Sequence, residues 1–551
     1  MKVTSVRDLN RSDYLIMFAI GVIYTLIYAI SIISRVESVE FMAIDPHSIV
    51  DSLHTLTSYP YYNMGDSYHS KYYGWTYFSV NFVVIMFAKL FGLASDESFN
   101  VIVRLNLFII GLALTFCLYT LSRHLFTKTV SALAVLYFLF DPVSSHYFLT
   151  IHPESLGMLL QCVGLIVLLD ISKDKILSYP KFIVAVVLFS LSALAKQPFF
   201  IVNVLIGIVF FVWLYRNVHY SLTVKDIVKL VLYSTIVFLI TFFIIHPYAF
   251  LHFSAFIKAQ SELASAHSSV GISEAFDTWF NELSNSIVFC LNFLIALLLM
   301  FFRRVNWVYI CSVIITILCS FLFMYKARIF ISLLYLYPLY VFAIFNVVYF
   351  SHLVINTLSN VIVKRVLLSV ALLLVSCNAI SNAAYSVFSS HYRFFTDGLG
   401  TEYSTWNYIK QLEKDVTIAY SPDVAMPQPY KSNGCHAWQG CDGFDSLGKF
   451  DPGVVILSPE YPHYNFTEYN KYVNEHGYKL VKIVKPNFSL DSYKCTNNLR
   501  FGVGGNTGIL NFIQFEKLLS NVATCIDDYS FMLDNYNTGS ISGLPKYIYK
   551  K

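Results

Sequence analysis

The sequence has few charged residues, and long apolar stretches stand in their place. Of its 551 residues only 13% are charged, whereas 56% are hydrophobic and 17% are aromatic. This composition excludes an ordinary soluble globule, and the length exceeds that of a single domain. The formal net charge is only +4. Because the chain also contains no run of basic residues, we expect no nucleic-acid partner.

Three further absences narrow the class of protein. No small-residue cleavage site follows the first apolar stretch, 14–33, so we interpret it as an uncleaved membrane span. No internal repeat is visible, which disfavours a transporter built from repeated halves. No CxxC spacing is present, which disfavours a zinc site among the cysteines.

Eleven apolar segments have roughly the 20 residues that a membrane-spanning helix needs. They are 14–33, 101–120, 130–148, 154–170, 182–197, 199–215, 230–247, 286–302, 306–324, 329–350 and 366–387. Whether a further apolar segment, 75–93, crosses the bilayer determines on which side of the membrane each later loop lies. If it does not cross, the basic segments share the cytoplasmic side with the N-terminus. If it crosses, most of them move outside, against the positive-inside rule. We therefore predict that 75–93 is an interfacial or re-entrant helix.

The predicted architecture is a polytopic α-helical membrane protein with a soluble outer domain. Residues 1–388 form the membrane domain, and its outer loop 34–100 contains interfacial helices. Residues 389–551 form an α/β domain on the outer side, with buried strands at 416–420 and 453–459. The segment 469–484 indicates a helix, a Gly turn and a strand. A bacterial inner membrane with a periplasmic domain is favoured over the endoplasmic reticulum and its lumen.

The cysteines agree with this sidedness. Six lie singly inside predicted spans, where Cys behaves as a small apolar residue: they are 117, 162, 290, 311, 319 and 377. The other four lie in the outer domain, and an even number in an oxidising compartment indicates two disulfides. Proximity in sequence favours Cys435 with Cys441 and Cys495 with Cys525 among the three pairings.

Five polar clusters fall at the predicted outer level of the bundle, where charge beside lipid is costly and usually functional. They are the loop 34–74 with Asp45, Asp51, Asp66 and Tyr73; FDPVSSHYFLTIHPES with His152 and Glu154; SALAKQPFF with Lys196; HPYAF at 246–250; and YKARIFISLLYLYP with Arg328. Carboxylates can take a proton, and cations can bind an anionic group. Together they suit an enzyme whose substrate includes a membrane-bound phosphate.

The order of the motifs resembles a known superfamily. An acid after the first span is followed by KYYGWTYFSVNFVVIMFAKLFG, a span opening with VRL, then HPE, AKQP, a Pro-Tyr pair and KARIFISLLYLYPLY. This order resembles the membrane-embedded glycosyltransferases of the C superfamily (GT-C), family 39-like. The branch is that of protein O-mannosyltransferases and lipid A aminoarabinose transferases. The resemblance covers the membrane domain, about two-thirds of the chain.

The resemblance implies a reaction. A sugar linked to polyprenyl phosphate is the donor, and a lipid, glycan or protein acceptor attacks its anomeric carbon with inversion. Asp45 matches the family's base in the first outer loop. Arg104, Lys196 and Arg328 are the cations placed to bind the donor phosphate. His152, Glu154, Asp51, Asp66 and Tyr73 are expected near the substrate or a metal.

Each assignment leaves an alternative open. Asp45 could cap a short helix, or another acid of the loop could be the base. Many relatives carry an acidic pair, but Pro46 follows Asp45 here, so a second acid would have to be Glu40, Asp51 or Asp66. Arg104 and Lys196 could extend to the headgroups, and Arg328 could be an interfacial anchor. His152 and Glu154 could cap a helix or bind each other. No cofactor is certain, and a divalent metal stays open because no ligand spacing is diagnostic. A secondary transporter and a non-catalytic membrane scaffold of envelope glycan assembly remain the alternative functions.

Overall fold

The structure is a computed structural model of the 551-residue chain. It describes residues 9–33, 45–58, 74–174, 177–217, 223–266, 286–299, 306–326, 336–357, 382–391, 400–421, 434–436, 451–458, 466–486, 515–537 and 545–551, together with isolated residues between these ranges.

Helices make up most of the described chain before residue 392. They are α1 (Arg11–Tyr28, continued by a 3-10 turn, Ala29–Ile33), α2 (Asp45–Ser58), α3 (Trp75–Leu90), α4 (Asp96–Leu125), α5 (Lys128–Phe140), α6 (Pro142–Leu149), α7 (Glu154–Asp174), α8 (Tyr179–Ala195), α9 (Gln197–Asn217), α10 (Val224–Ile245), α11 (Tyr248–Leu251), α12 (Phe253–Ala266), α13 (Ile287–Leu299), α14 (Trp307–Lys326) and α15 (Tyr337–Thr357). Residues 382–391 are also helical.

Local sequence explains where several of these helices begin. Asn10 caps α1 in a reciprocal capping box with Asp13. Ser95 caps α4 with Ser98, and Thr223 caps α10 in the same way. In each box a short polar side chain accepts from a backbone N–H that has no partner inside the helix. The long apolar segments therefore start as helices at defined residues.

The chain is an integral membrane protein by the length and composition of its helices. Six described helices are long and apolar enough to cross a bilayer, or up to seven if α5 and α6 form one bent span. Shorter apolar helices lie at Trp75–Leu90, Tyr179–Ala195, Val288–Leu299 and Trp307–Phe323. Helices coincide largely with the predicted spans from 14–33 to 329–350, whereas 366–387 lies mostly outside the described residues. The total of eleven spans stays a prediction.

The segment 130–148 differs from the prediction of one continuous span. It is divided into α5 and α6, which are bent by 66° relative to each other. Asp141 has an extended backbone, and its Oδ1 accepts from the N–H of Val143 at 2.9 Å and of Ser144 at 3.4 Å. Pro142 cannot donate to a preceding carbonyl. The break follows because Asp141 and Pro142 together start a new helix.

The segment 75–93, predicted not to cross the membrane, contains α3. This helix has 16 residues and is therefore about 24 Å long, less than the roughly 30 Å hydrocarbon core. It packs against α2, α4 and α8. Other short apolar helices, including α8, are of similar length, so the non-crossing arrangement stays a prediction.

The helices of the bundle share one large apolar core. Buried residues of α1, α4, α5, α6, α7, α9, α13, α14 and α15 belong to this cluster. Polar side chains inside it are paired across helices. Tyr28 Oη donates to the Leu139 carbonyl at 2.8 Å, and Asn346 Nδ2 donates to Asn292 Oδ1 at 2.9 Å. Such contacts stabilise a particular packing, because apolar contacts in lipid do not discriminate between arrangements.

The described residues after 399 form an α/β unit. Its elements are α16 (Thr401–Ile409), β1 (Ile418–Tyr420), β2 (Gly434–His436), β3 (Val454–Leu457), α17 (Phe466–Glu475), β4 (Lys479–Val484), α18 (Phe515–Asn537) and β5 (Lys546–Lys550). The sheet order is β2-β1-β3-β5-β4. β1 pairs in parallel with β2 and β3, whereas β5 is antiparallel to β3 and β4.

Three sequence predictions for this unit are confirmed. β1 and β3 lie within 416–420 and 453–459, and both are fully buried. The segment 469–484 contains the end of α17, Gly477 with a φ of +79°, and β4. Glycine is favoured there because a Cβ is strained at positive φ. The boundary at 388 and the outer location of the unit stay predictions.

One predicted disulfide is confirmed. Cys495 and Cys525 are bonded, with 4.8 Å between their Cα atoms. The second predicted pair cannot be placed, since Cys441 lies outside the described residues. Within the described chain, the cysteines at 117, 162, 290, 311 and 319 are free thiols, as expected for single cysteines in spans; Cys377 lies outside it.

Candidate functional site

Arg104 of α4 is buried inside the bundle. The residue is 3% exposed, and its Nη1 donates to the carbonyl of Leu149 at 3.2 Å. Leu149 is the last residue of α6, so the guanidinium lies beside the C-terminus of that helix. A cation there is favoured by the partial negative charge of the last carbonyls. A buried positive charge therefore lies beside the end of α6, where the loop to His152 begins.

The carboxylate of Glu154 joins two other predicted site residues. Its Oε1 lies 2.5 Å from the Nζ of Lys196, and its Oε2 is hydrogen-bonded to the Nδ1 of His152. Glu154 is 3% exposed and His152 is 6% exposed. We call His152, Glu154 and Lys196 the carboxylate cluster. Its members come from the loop after α6, the first residue of α7 and the junction of α8 with α9.

The local structure explains why these residues meet. Glu154 begins α7, where the helix N-terminus stabilises a negative charge. Lys196 has an extended backbone between α8 and α9, and Pro198 follows two residues later, so one helix ends and another starts there. α7 and α8 pack side by side, and Ser192 Oγ donates to the Gly157 carbonyl at 2.8 Å. This register brings the end of α8 to the start of α7.

One apolar cluster connects α2 to these polar residues. Its buried members include neighbours in sequence of the site residues, namely Val103, Ile151, Leu156 and Leu194, and also Ile49, Val50, Leu53 and Leu56 of α2. Asp45 is the first residue of α2, about one helical turn before Ile49. The helix that starts at the predicted base is therefore packed into the same core as the candidate site.

The C-terminal half of α2 is fixed by polar and aromatic contacts. Lys89 Nζ donates to the carbonyl of Thr57 at 2.6 Å, which satisfies a carbonyl of the last turn. The ring of His54 stacks on Phe99, with 3.7 Å between the centroids. Burial, and to a lesser degree the charge of Lys89, lowers the pKa of His54 to about 4. His54 is therefore neutral at pH 7.

His246 was not among the predicted site residues, although its HPYAF motif was one of the five polar clusters. It is 1% exposed and stacks on Trp75, with 4.7 Å between the ring centroids. Among the described residues its two ring nitrogens have no hydrogen-bond partner. Trp75 belongs to the same apolar cluster as Ile151 and Leu194. A His-Pro pair at the end of an apolar run is the sequence signal that marks this position.

Several predicted site residues cannot be located. Asp66, Tyr73 and Arg328 lie outside the described residues, as do the side chains of Asp45 and Asp51. In the described part of the chain, no three residues among His, Cys, Asp and Glu are grouped in a way that could hold a metal ion. The contacts that the structure does describe are Arg104 beside α6 and the carboxylate cluster.

Comparison with known proteins finds solved structures that are similar to this chain. No protein-family model and no curated protein sequence matches the chain. Apo ArnT from Cupriavidus metallidurans matches with a TM-score of 0.50 and 14% identity, covering 85% of this chain and 95% of that one. ArnT bound to undecaprenyl phosphate gives a TM-score of 0.49, 13% identity, and coverage of 85% and 96%. The oligosaccharyltransferase of Archaeoglobus fulgidus gives 0.47, 11% identity, and coverage of 81% and 68%.

ArnT is a member of the GT-C superfamily. The chain shares the fold of ArnT over most of the length of both proteins. The expected GT-C fold is therefore confirmed. At this level of identity the similarity defines the fold and leaves the activity to be argued from the site.

Proposed function

We propose that this protein is an inverting membrane glycosyltransferase. It moves a sugar from a polyprenyl-phosphate donor to an acceptor at the outer face of the membrane. The observation that carries the proposal is the set of buried charges formed by Arg104 and the carboxylate cluster inside a GT-C fold. ArnT, which has this fold, also binds undecaprenyl phosphate.

The buried cations suit the chemistry of the leaving group. Phosphate needs no strong general acid, but negative charge develops on it as the bond to the sugar breaks. Fixed positive groups in a dry site stabilise that charge because they need not reorganise during the reaction. Arg104 and Lys196 are buried or nearly buried, with the Lys196 side chain 14% exposed. We assign both to the donor phosphate, with Arg328 as a third cation.

Asp45 is the proposed base. The acceptor O–H or N–H proton passes to its carboxylate as the acceptor atom bonds to the anomeric carbon. The bond from that carbon to the phosphate oxygen breaks at the same time, and polyprenyl phosphate leaves with the electron pair. A single displacement of this kind inverts the anomeric configuration. The position of Asp45 at the start of α2, one turn from the buried Ile49, supports this assignment.

We also propose on which side of the membrane each end of the chain lies. With eleven spans and a non-crossing 75–93 segment, the N-terminus is cytoplasmic and residues 389–551 are outside, in the periplasm of a bacterial cell. The Cys495–Cys525 disulfide supports an oxidising compartment for this region. The site then faces the compartment in which the acceptor is found, and the α/β unit covers it or binds the acceptor.

The first test is turnover of a defined donor by purified full-length protein. A panel of polyprenyl-phosphate sugars is incubated with the protein and candidate acceptors, and release of polyprenyl phosphate is measured for the wild type and for Asp45→Asn. We expect one donor to be turned over, and a fall in kcat of about 100-fold or more in the variant because proton transfer is lost.

A matched control is Glu475→Gln, which neutralises an exposed carboxylate of α17 paired only weakly with Lys471 at 3.7 Å. It should keep wild-type turnover. Full activity in Asp45→Asn would move the base to another acid of the loop. Absence of turnover with every donor, together with uptake of radiolabelled substrate into proteoliposomes, would replace the transferase by a transporter.

A further inference from the structure

The carboxylate cluster contains a group that the proposed reaction does not yet use. Glu154 is buried, and each of its oxygens is engaged by a different partner, Lys196 at Oε1 and His152 at Oε2. Both partners are predicted to lie near the substrate. A carboxylate whose two oxygens are already engaged in this way is poorly placed to ligate a metal or to take a proton from an acceptor.

Stability alone is a weak reason for such an arrangement. Taking charges out of water is costly, and a buried ion pair is often no better for stability than apolar side chains of the same volume. Leu156 and Leu194, two residues from Glu154 and Lys196 in sequence, are already part of an apolar cluster. An all-apolar contact between α7 and α8 would therefore be available to this fold.

The geometry instead indicates that Glu154 orients two hydrogen-bond donors, the ammonium of Lys196 and the imidazole of His152. The Lys196 ammonium can donate three hydrogen bonds, and Glu154 accepts one of them. Accepting from Nδ1 of His152 fixes the tautomer and the ring orientation, so that Nε2 is the nitrogen that carries further chemistry. Arg104, Lys196 and Glu154 together carry one net formal positive charge, before any charge on His152 is counted. A phosphate can therefore approach these groups without a net repulsion.

We propose that Glu154 is a positioning residue. It holds the ammonium of Lys196 and the imidazole of His152 in the orientation that receives the phosphate of a polyprenyl-phosphate ligand. The inference rests on the proposed function, and it assigns Glu154 an indirect role in place of contact with substrate or metal. Removing its charge weakens phosphate binding through its two partners.

Binding of undecaprenyl phosphate to the purified full-length protein in detergent tests this role. The dissociation constant is measured for the wild type, Glu154→Gln, Glu154→Asp, Lys196→Gln and the double variant Glu154→Gln/Lys196→Gln. We expect binding to weaken roughly tenfold in Glu154→Gln, as for the loss of a hydrogen bond to a charged group. Glu154→Asp should recover part of the loss because it restores the charge.

The affinity of the double variant distinguishes a positioning role from a merely structural one. If Glu154 acts through Lys196, the double variant should lose less affinity than the product of the two single losses. Independent, multiplicative losses would overturn the proposal. If Glu154→Gln fails to fold, the double variant, which leaves neither charge unpaired, carries the test. Wild-type affinity in that variant would also overturn the proposal.

Asp13→Asn is the matched control. Asp13 is another buried carboxylate with a cationic partner, Arg123 at 2.8 Å, at the start of α1. This variant should be less stable but should bind undecaprenyl phosphate as the wild type does. An equal loss of affinity in Asp13→Asn would show that Glu154→Gln weakens binding only by lowering the stability of the protein. A wild type that neither binds the lipid nor turns over any donor would overturn the proposed function, whereas binding unaffected by Glu154→Gln would overturn only the positioning role.

Discussion

At the scale of single residues, several polar groups around the site have partners from other parts of the chain. Arg104 reaches the end of α6, Glu154 reaches the α8–α9 junction, and Lys89 reaches the end of α2. Arg104 is 3% exposed and lies inside the bundle. Charges held in this way cost little reorganisation when an anionic ligand arrives.

His54 should make stability depend on pH. Because its pKa is lowered to about 4, the unfolded chain binds a proton more readily than the folded chain does below about pH 6.5. Stability should therefore be highest above pH 6.5 and fall as the pH is lowered toward 4, by about 1 kcal/mol per pH unit for this group.

Thermal unfolding in detergent at pH 7 and pH 5 measures this effect. The drop between the two pH values should be smaller in His54→Gln than in the wild type, since glutamine does not titrate. An equal drop in both proteins would show that other groups, and not His54, are responsible.

At the scale of elements, the break between α5 and α6 positions the site. The C-terminus of α6 carries the carbonyl that Arg104 binds, and α6 starts at the Asp141 cap. A continuous helix over 130–148 would carry Leu149 along the axis of α5, away from this position. The Asp-Pro pair is therefore a structural requirement for the placement of Arg104.

Asp141→Ala should destabilise the protein and affect the site. Loss of an N-cap costs about 1 kcal/mol, so we expect a lower unfolding temperature and weaker binding of undecaprenyl phosphate. Asp141→Asn should retain both properties because asparagine is an equally good N-cap. Unfolding temperature and lipid affinity, measured in parallel for the two variants, check this. Equal damage in both variants would assign the effect to the charge instead of the cap.

At the scale of the whole molecule, the question is on which side of the membrane the loops of the bundle and the α/β unit lie. The positive-inside rule predicts that the 216–229 segment is cytoplasmic and that the α/β unit lies outside. The structure offers an exposed carboxylate in each: the side chain of Asp226 is 37% exposed and that of Glu475 is 57% exposed.

Cysteine labelling tests this topology directly. Asp226→Cys and Glu475→Cys are expressed in bacterial cells with a permeable outer membrane and treated with a thiol reagent that cannot cross the inner membrane. Glu475→Cys should be labelled at once, and Asp226→Cys only after the inner membrane is disrupted, with the wild type as the blank. The reverse pattern would require 75–93 to cross the bilayer.

Much of the fold could be predicted because its signals are local. Apolar length predicts the helices, the cysteines at 495 and 525 predict a disulfide, and short β-branched runs predict β1 and β3. The break at Asp141 was missed because apolar residues continue on both sides of it. The site residues could be proposed from their motifs, and a bond between His152 and Glu154 was one of the alternatives. The second partner of Glu154, Lys196, could not be chosen from the motifs.

The sequence by itself determined that this is a helical membrane protein with an α/β unit, since hydrophobic length and alternation act on residues close together in the chain. Only the tertiary structure decided that Glu154 meets Lys196, 42 residues away, and that Arg104 meets the end of α6. Such contacts depend on how helices cross and in what register they pack, which side chains from several segments determine together. The arrangement of the charges is therefore a property of the packed bundle.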